Sequence, residues 1–74
     1  MKQKIISLLE DALPLVDLNS DYLYSELDSL GVTTILMLLS EEYGIQLNSN
    51  DATPKNLKSI DSLVALVESK LAEK

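Results

Sequence analysis

Pro14 and Gly44 cut this chain into apolar segments whose spacing admits little besides helix. Between Gln3 and Leu13, Ile5, Leu8, Leu9 and Ala12 recur at intervals of three and four, with Lys2, Lys4, Glu10 and Asp11 at the polar positions. Proline lacks an amide N–H and pushes its predecessor towards extended geometry, so Pro14 closes that helix. A second helix opens at Asp28 or Ser29, both able to accept hydrogen bonds from unpaired first-turn amides, and ends with Tyr43 before Gly44. A third begins after Ser59 and carries Ile60, Leu63, Val64, Val67 and Leu71 on one stripe, with Asp61 complementing the positive end of the helix dipole. The turn-rich "NSNDATP" leads into a short helix through Lys55, Asn56 and Leu57. The expected fold is all-α: three main helices and one short one in a single small four-helix bundle spanning residues 1–74, without internal repeats.

The segment from Leu15 to Leu27 is too apolar for a free linker and too irregular for a helix. It is expected to be an ordered loop, pinned by its leucines and tyrosines, long enough to hold a turn of helix or a functional group.

Seventy-four residues leave no room for a second core, and so small a domain walls off a deep catalytic cleft only at great cost to its stability. The chain has neither cysteine nor histidine, which removes disulfides, thiolate nucleophiles, imidazole bases and the commonest zinc ligands together. No metal site and no catalytic residue are expected. Twelve acids against six lysines give a net charge of −6, which disfavours nucleic acid and anionic membranes and favours basic protein surfaces. No apolar run approaches the roughly 20 residues of a membrane span, and Met1-Lys2-Gln3-Lys4 precedes amphipathic sequence instead of a secretory core. The expectation is a soluble, cytoplasmic monomer.

On the second helix, Val32, Ile35, Leu36, Leu39 and Tyr43 share the side that faces the other helices. Leu30, Thr33, Thr34, Met37 and Glu41 share the opposite side, where two large apolar residues stand among polar ones. Isolated exposed leucines and methionines are ordinary, yet the grouping also describes a docking strip with Met37 as its adaptable contact. Ser29 has two readings as well. A serine at a helix start is usually a cap. With no histidine in the chain and no glycine-rich elbow, it is not a self-activated nucleophile, but it remains a possible acceptor for a group attached by another enzyme.

"LDSLGVTTILMLLSEEYGIQL", Leu27 to Leu47, resembles the acyl carrier protein family: Asp-Ser-Leu opens a helix, and Glu-Glu-aromatic-Gly-Ile follows in register. The first helix, the long loop and "LKSIDSLVALVESKL" fit the same pattern, so the resemblance covers nearly the whole chain. It implies a non-enzymatic domain whose Ser29 receives 4′-phosphopantetheine from coenzyme A through a magnesium-dependent phosphopantetheinyl transferase. The arm brings a thiol to a chain that has none, and partner enzymes of fatty acid, polyketide or specialised biosynthesis act on acyl groups carried there as thioesters. By the same resemblance Asp28, Leu30, Thr34, Met37 and Glu41 belong to the recognition surface for the transferase and later partners.

The sequence also departs from that pattern. Thr34 and Ser40 stand where fatty acid carriers commonly have acids, and Gly31 replaces a frequent polar residue. "TPKNLKS" is longer than the corresponding fatty acid type and looks more like free-standing carriers of specialised or aminoacyl-loading pathways, whereas Asp28 resembles the acyl or D-alanyl types. A free-standing aminoacyl carrier and an unmodified helical interaction module with Ser29 as a plain cap are the alternatives. Tyr22, Tyr24 and Tyr43 read as packing residues with wet hydroxyls, Glu41 and Glu42 as a solvated face, and Asn50 and Asp51 as turn stabilisers.

Overall fold

A computed structural model of the chain describes residues 1–73. Helices α1 (Lys2–Ala12), α2 (Ser29–Tyr43) and α3 (Ile60–Ala72) pack around one core, with single 3₁₀ turns at Leu23–Glu26 and Ser49–Asp51, and no strand among the described residues. Ile5 and Leu9 from α1, Ile35 and Leu39 from α2, and Leu63 and Val67 from α3 are fully buried, joined by Leu23 and Leu57 from the connections. Each helix therefore contributes the apolar stripe that its spacing requires.

Helix α1 shows two differences. Leu8 is only half-buried and outside the core cluster and Ala12 is exposed, while Ile6 and Leu13 pack against the core beside Ile5 and Leu9. The chain turns at Leu13, whose amide still bonds the Leu9 carbonyl at 2.7 Å, and Ala12 is left on an open groove bordered by the start of α2.

The short helix expected at Lys55–Leu57 is corrected to a turn. One bond, from the Leu57 amide to the Thr53 carbonyl at 3.0 Å, closes it, and the Thr53 hydroxyl accepts from the Asn56 amide at 3.1 Å. The Asn56 side chain then donates to the Asp51 carbonyl at 3.0 Å. Side chains thus satisfy the backbone locally, which competes with helix extension, and the turn's product is the burial of Leu57.

The loop between α1 and α2 is ordered, as its composition requires. Leu23 is fully buried, and its amide donates to the Lys58 carbonyl at 2.6 Å, tying the loop to the segment that precedes α3. Tyr24 and Leu27 pack against the core, whereas Tyr22 is exposed and tilts against Tyr24 with ring centroids 6.2 Å apart.

Gly44 ends α2 in the left-handed conformation, φ 62° and ψ 36°, which L-residues with a Cβ rarely adopt. Ser40 secures the segment beyond it. Its hydroxyl donates to the Leu36 carbonyl at 2.7 Å and accepts from the Leu47 amide at 3.1 Å, holding buried Leu47 beneath the helix end. That dual bond is a physical reason for serine at this position. Ser40→Ala is expected to cost about 1–2 kcal/mol, because the Leu47 amide is left in a partly buried site without its partner. Urea denaturation checks this; an unchanged midpoint would show that water replaces the hydroxyl freely.

Among the described residues, three ion pairs brace the helices: Lys2 to Asp61 at 2.9 Å, Lys4 to Glu42 at 2.8 Å and Lys70 to Asp51 at 3.2 Å. The hydrogen bond to Glu42, and then its charge, raises the Lys4 pKa. Asp51 has two duties, because its other carboxylate oxygen accepts from the Asn48 amide at 3.1 Å in a capping box. The chain has no cation between Lys4 and Lys55, and its twelve acids outnumber its six lysines, which leaves an excess of exposed carboxylates. The pairs of Lys2 and Lys4 are largely exposed and contribute little each, and only Lys70–Asp51 is mostly covered, so self-repulsion of the excess charge is expected to outweigh the three together. The thermal midpoint is expected to rise by several degrees as the Debye length shrinks from about 30 Å at 0.01 M salt to about 8 Å at 0.15 M. A flat or falling midpoint would mean that the ion pairs dominate.

Candidate functional site

The start of α2 is built by its cap. Asp28 is extended, with φ −96° and ψ −178°, and its Oδ1 accepts from the Gly31 amide at 2.7 Å. Gly31 is buried against this arrangement, and a Cβ there would stand 3.3 Å from Asp28 Oδ1 and 3.4 Å from Leu27 Cδ2. The missing side chain leaves the cap its room. Ser29 is consequently the first helical residue and not the cap, and it is exposed. This decides between the two residues that the sequence offered for the role.

Most of the second-helix strip expected from angular spacing is solvent-facing. Leu30 is 73% and Met37 51% exposed, Thr33 and Glu41 are exposed, and Thr34 is half-buried. The Thr33 and Thr34 hydroxyls donate to the Ser29 and Leu30 carbonyls at 2.9 and 2.8 Å, so both are engaged with their own helix. Ile35 and Leu39 lie on the opposite, buried side, with Val32, Leu36 and Tyr43 partly covered.

A groove of about 400 Å³ forms where the loop after α1 passes the first turn of α2, and Ser29 does not line it. Leu13, Leu15, Leu27, Leu30 and Thr34 line it, and so does Asp28. Leu15 is 98% exposed, against the expectation that the loop's leucines all pin it to the core. Sequence reasoning missed this residue and the groove. The only available signal was Leu15 following Pro14 outside any helical stripe.

Together these features are those of a small helical domain with an exposed serine at a capped helix start. The family model described as "Phosphopantetheine attachment site" matches residues 2–67, and the chain belongs to that family. No curated protein and no solved structure gives a significant match. Membership makes the protein a carrier of covalent 4′-phosphopantetheine and not an enzyme. Carriers of this family interact with a phosphopantetheinyl transferase and with biosynthetic enzymes. No helix among the described residues is long and apolar enough to cross a membrane.

The residues at the start of α2 fit such a group. The Ser29 side chain is accessible, and the Ser29 and Leu30 amides have no intrahelical partner by position, which with the helix dipole favours a phosphate there. Asp28 would oppose a phosphate there by charge. Its carboxylate is already turned to the Gly31 amide, and the site is open to solvent, which weakens the repulsion.

Proposed function

We propose that Ser29 is the attachment residue and that the protein carries acyl intermediates between biosynthetic enzymes. The observation that carries this reading is the exposed Ser29 hydroxyl at the first position of α2, relieved of capping by Asp28. The arm supplies a thiol on which an acyl group is held as a thioester.

The chain's own residues hold and present it. Asp28 and Gly31 fix the backbone at the attachment point, so the hydroxyl is offered from a rigid helix end. The chain has no histidine, and carboxylates are its only candidate bases, with Asp28 Oδ1 turned to the Gly31 amide; activation of the hydroxyl is left to the transferase and its magnesium ion. Asp28, Leu30, Thr34, Met37 and Glu41 form the recognition surface. Leu30 and Met37 supply the apolar contact, and exposed Glu26, Asp28 and Glu41 supply an acidic surround. Such a surface suits partners with an apolar centre and a basic rim, whose charge speeds encounter more than it deepens affinity. Rapid release suits a carrier.

The test is intact mass after incubation with coenzyme A, magnesium and a broad-specificity transferase. A gain of one phosphopantetheine per chain, located by fragmentation to Ser29, is expected. A full gain located at another hydroxyl would remove Ser29 from the role, and no gain with a transferase active on another carrier would remove the acyl-carrier reading.

A further inference from the structure

We propose that Met37 is an oxidation-sensitive contact: its conversion to the sulfoxide weakens docking on the second helix and slows loading of the chain, and reduction restores both. The inference rests on the recognition surface assigned above and adds a modification site to it.

The chain has no cysteine and two methionines, so before an arm is attached its readily oxidised sulfurs are those of Met1 and Met37. Both side chains are open to solvent, Met1 at 46% and Met37 at 51% exposure. Their surroundings differ. Met1 stands beside Tyr43, which packs against the core and donates its hydroxyl to the Met1 carbonyl at 3.5 Å. Met37 stands in the solvent-facing strip, where Leu30 is the other large apolar contact.

Hydrogen peroxide transfers one oxygen atom to the thioether sulfur and leaves as water, so the sulfur is oxidised by two electrons and the O–O bond is broken. The product is a polar acceptor with no hydrogen to donate. Its neighbours one turn away on the helix are Thr33, Thr34, Ser40 and Glu41. The hydroxyls of Thr33, Thr34 and Ser40 already donate to the carbonyls of Ser29, Leu30 and Leu36, at 2.9, 2.8 and 2.7 Å. Glu41 is a carboxylate and only accepts. None of the four has a hydrogen to offer, so water solvates the sulfoxide on the free chain. A partner whose apolar centre covers Met37 must strip that water and leaves a buried acceptor unpaired.

Reduction reverses the change. A sulfoxide reductase drawing on two thiols returns the thioether, with one water and one disulfide as the other products, and an exposed side chain gives it access to both sulfoxide epimers. The arm's own thiol is also oxidised by peroxide, so slower loading keeps the chain in its unarmed form while peroxide persists.

The experiment uses the full chain before loading, treated with hydrogen peroxide and then freed of it, with both methionines shown by fragment mass to be sulfoxides. Loading with coenzyme A, magnesium and the transferase is followed by intact mass. Its kcat/KM is expected to fall about tenfold, the loss that one unpaired buried acceptor brings. The thermal midpoint should stay within about two degrees of the untreated chain, because the altered group is at the surface. Sulfoxide reductases of both epimer specificities should restore the rate. Treated Met37→Leu, in which Met1 still oxidises, should load as fast as untreated Met37→Leu. An unchanged rate in the fully oxidised natural chain overturns the proposal, as does an equal fall in Met37→Leu or a fall that follows a collapse of the midpoint. Met37→Gln, polar without oxidation, tests the docking surface by itself. If it loads slowly while the oxidised natural chain loads normally, the oxidation proposal alone falls; if both load at the natural rate, Met37 leaves the recognition surface as well. An untreated natural chain that does not load sinks the attachment reading, and this one with it.

Discussion

Ser29→Ala is expected to stay at its unmodified mass under conditions that load the natural chain completely, while its thermal midpoint changes by no more than a degree or two. The pairing of these outcomes is what makes the variant informative. If Ser29 served only as a helix cap, alanine would remove the cap and cost about 1 kcal/mol, typically 4–8 °C for a domain of this size. The structure assigns that bond to Asp28 Oδ1, 2.7 Å from the Gly31 amide. At the first helical position alanine is a good helix former, and the lost hydroxyl was exposed, so little stability is at stake. Asp28→Ala is the complementary variant and should lower the midpoint by the amount just given. A large loss of stability in Ser29→Ala, with loading retained, would reverse the assignment of the two residues.

Much of this was legible before any coordinates. The three main helices follow from spacing, because an amphipathic helix in a small domain must turn its apolar stripe to the core, and Ile5, Leu9, Ile35, Leu39, Leu63 and Val67 do so. Gly44 was readable as a terminator for the same reason that it is found with φ 62°. The exposed strip of Leu30, Met37 and Glu41 followed from 100° per residue alone.

What escaped depends on tertiary position. Asp28 and Ser29 are chemically equivalent as caps, and only the path of the chain at Leu27 and Gly31 decides which one turns its oxygen to the helix. Ser40 looked like an acid missing from a docking face, yet its hydroxyl bridges Leu36 and Leu47, a bond across seven residues that no local pattern announces. The supposed helix at Lys55–Leu57 failed because Thr53 and Asn56 satisfy the backbone themselves. Leu15 and Leu23 are the sharpest case: two leucines of one irregular loop, the first 98% exposed and the second fully buried.

That contrast carries the second large expectation. Leu23→Ala should lower stability by about 3 kcal/mol, within the 2–5 kcal/mol that buried leucine truncations cost. A chain of this length holds only about 4–11 kcal/mol in total, so the variant forfeits a large share of it. The thermal midpoint is expected to fall by about 12–24 °C. Leu15→Ala, in the same loop but outside the core, should change it hardly at all. The function should follow the fold in the first variant, because the loop that Leu23 anchors runs through Leu27 directly into the Asp28 cap, and its backbone bond to Lys58 is what holds it against the start of α3. Loading of Leu23→Ala by the transferase should therefore weaken as temperature approaches its lowered midpoint and recover on cooling, whereas Ser29→Ala should not load at any temperature. A midpoint lowered by only a few degrees would mean that neighbouring side chains close the space left by Leu23, and that the loop is held chiefly by its hydrogen bonds.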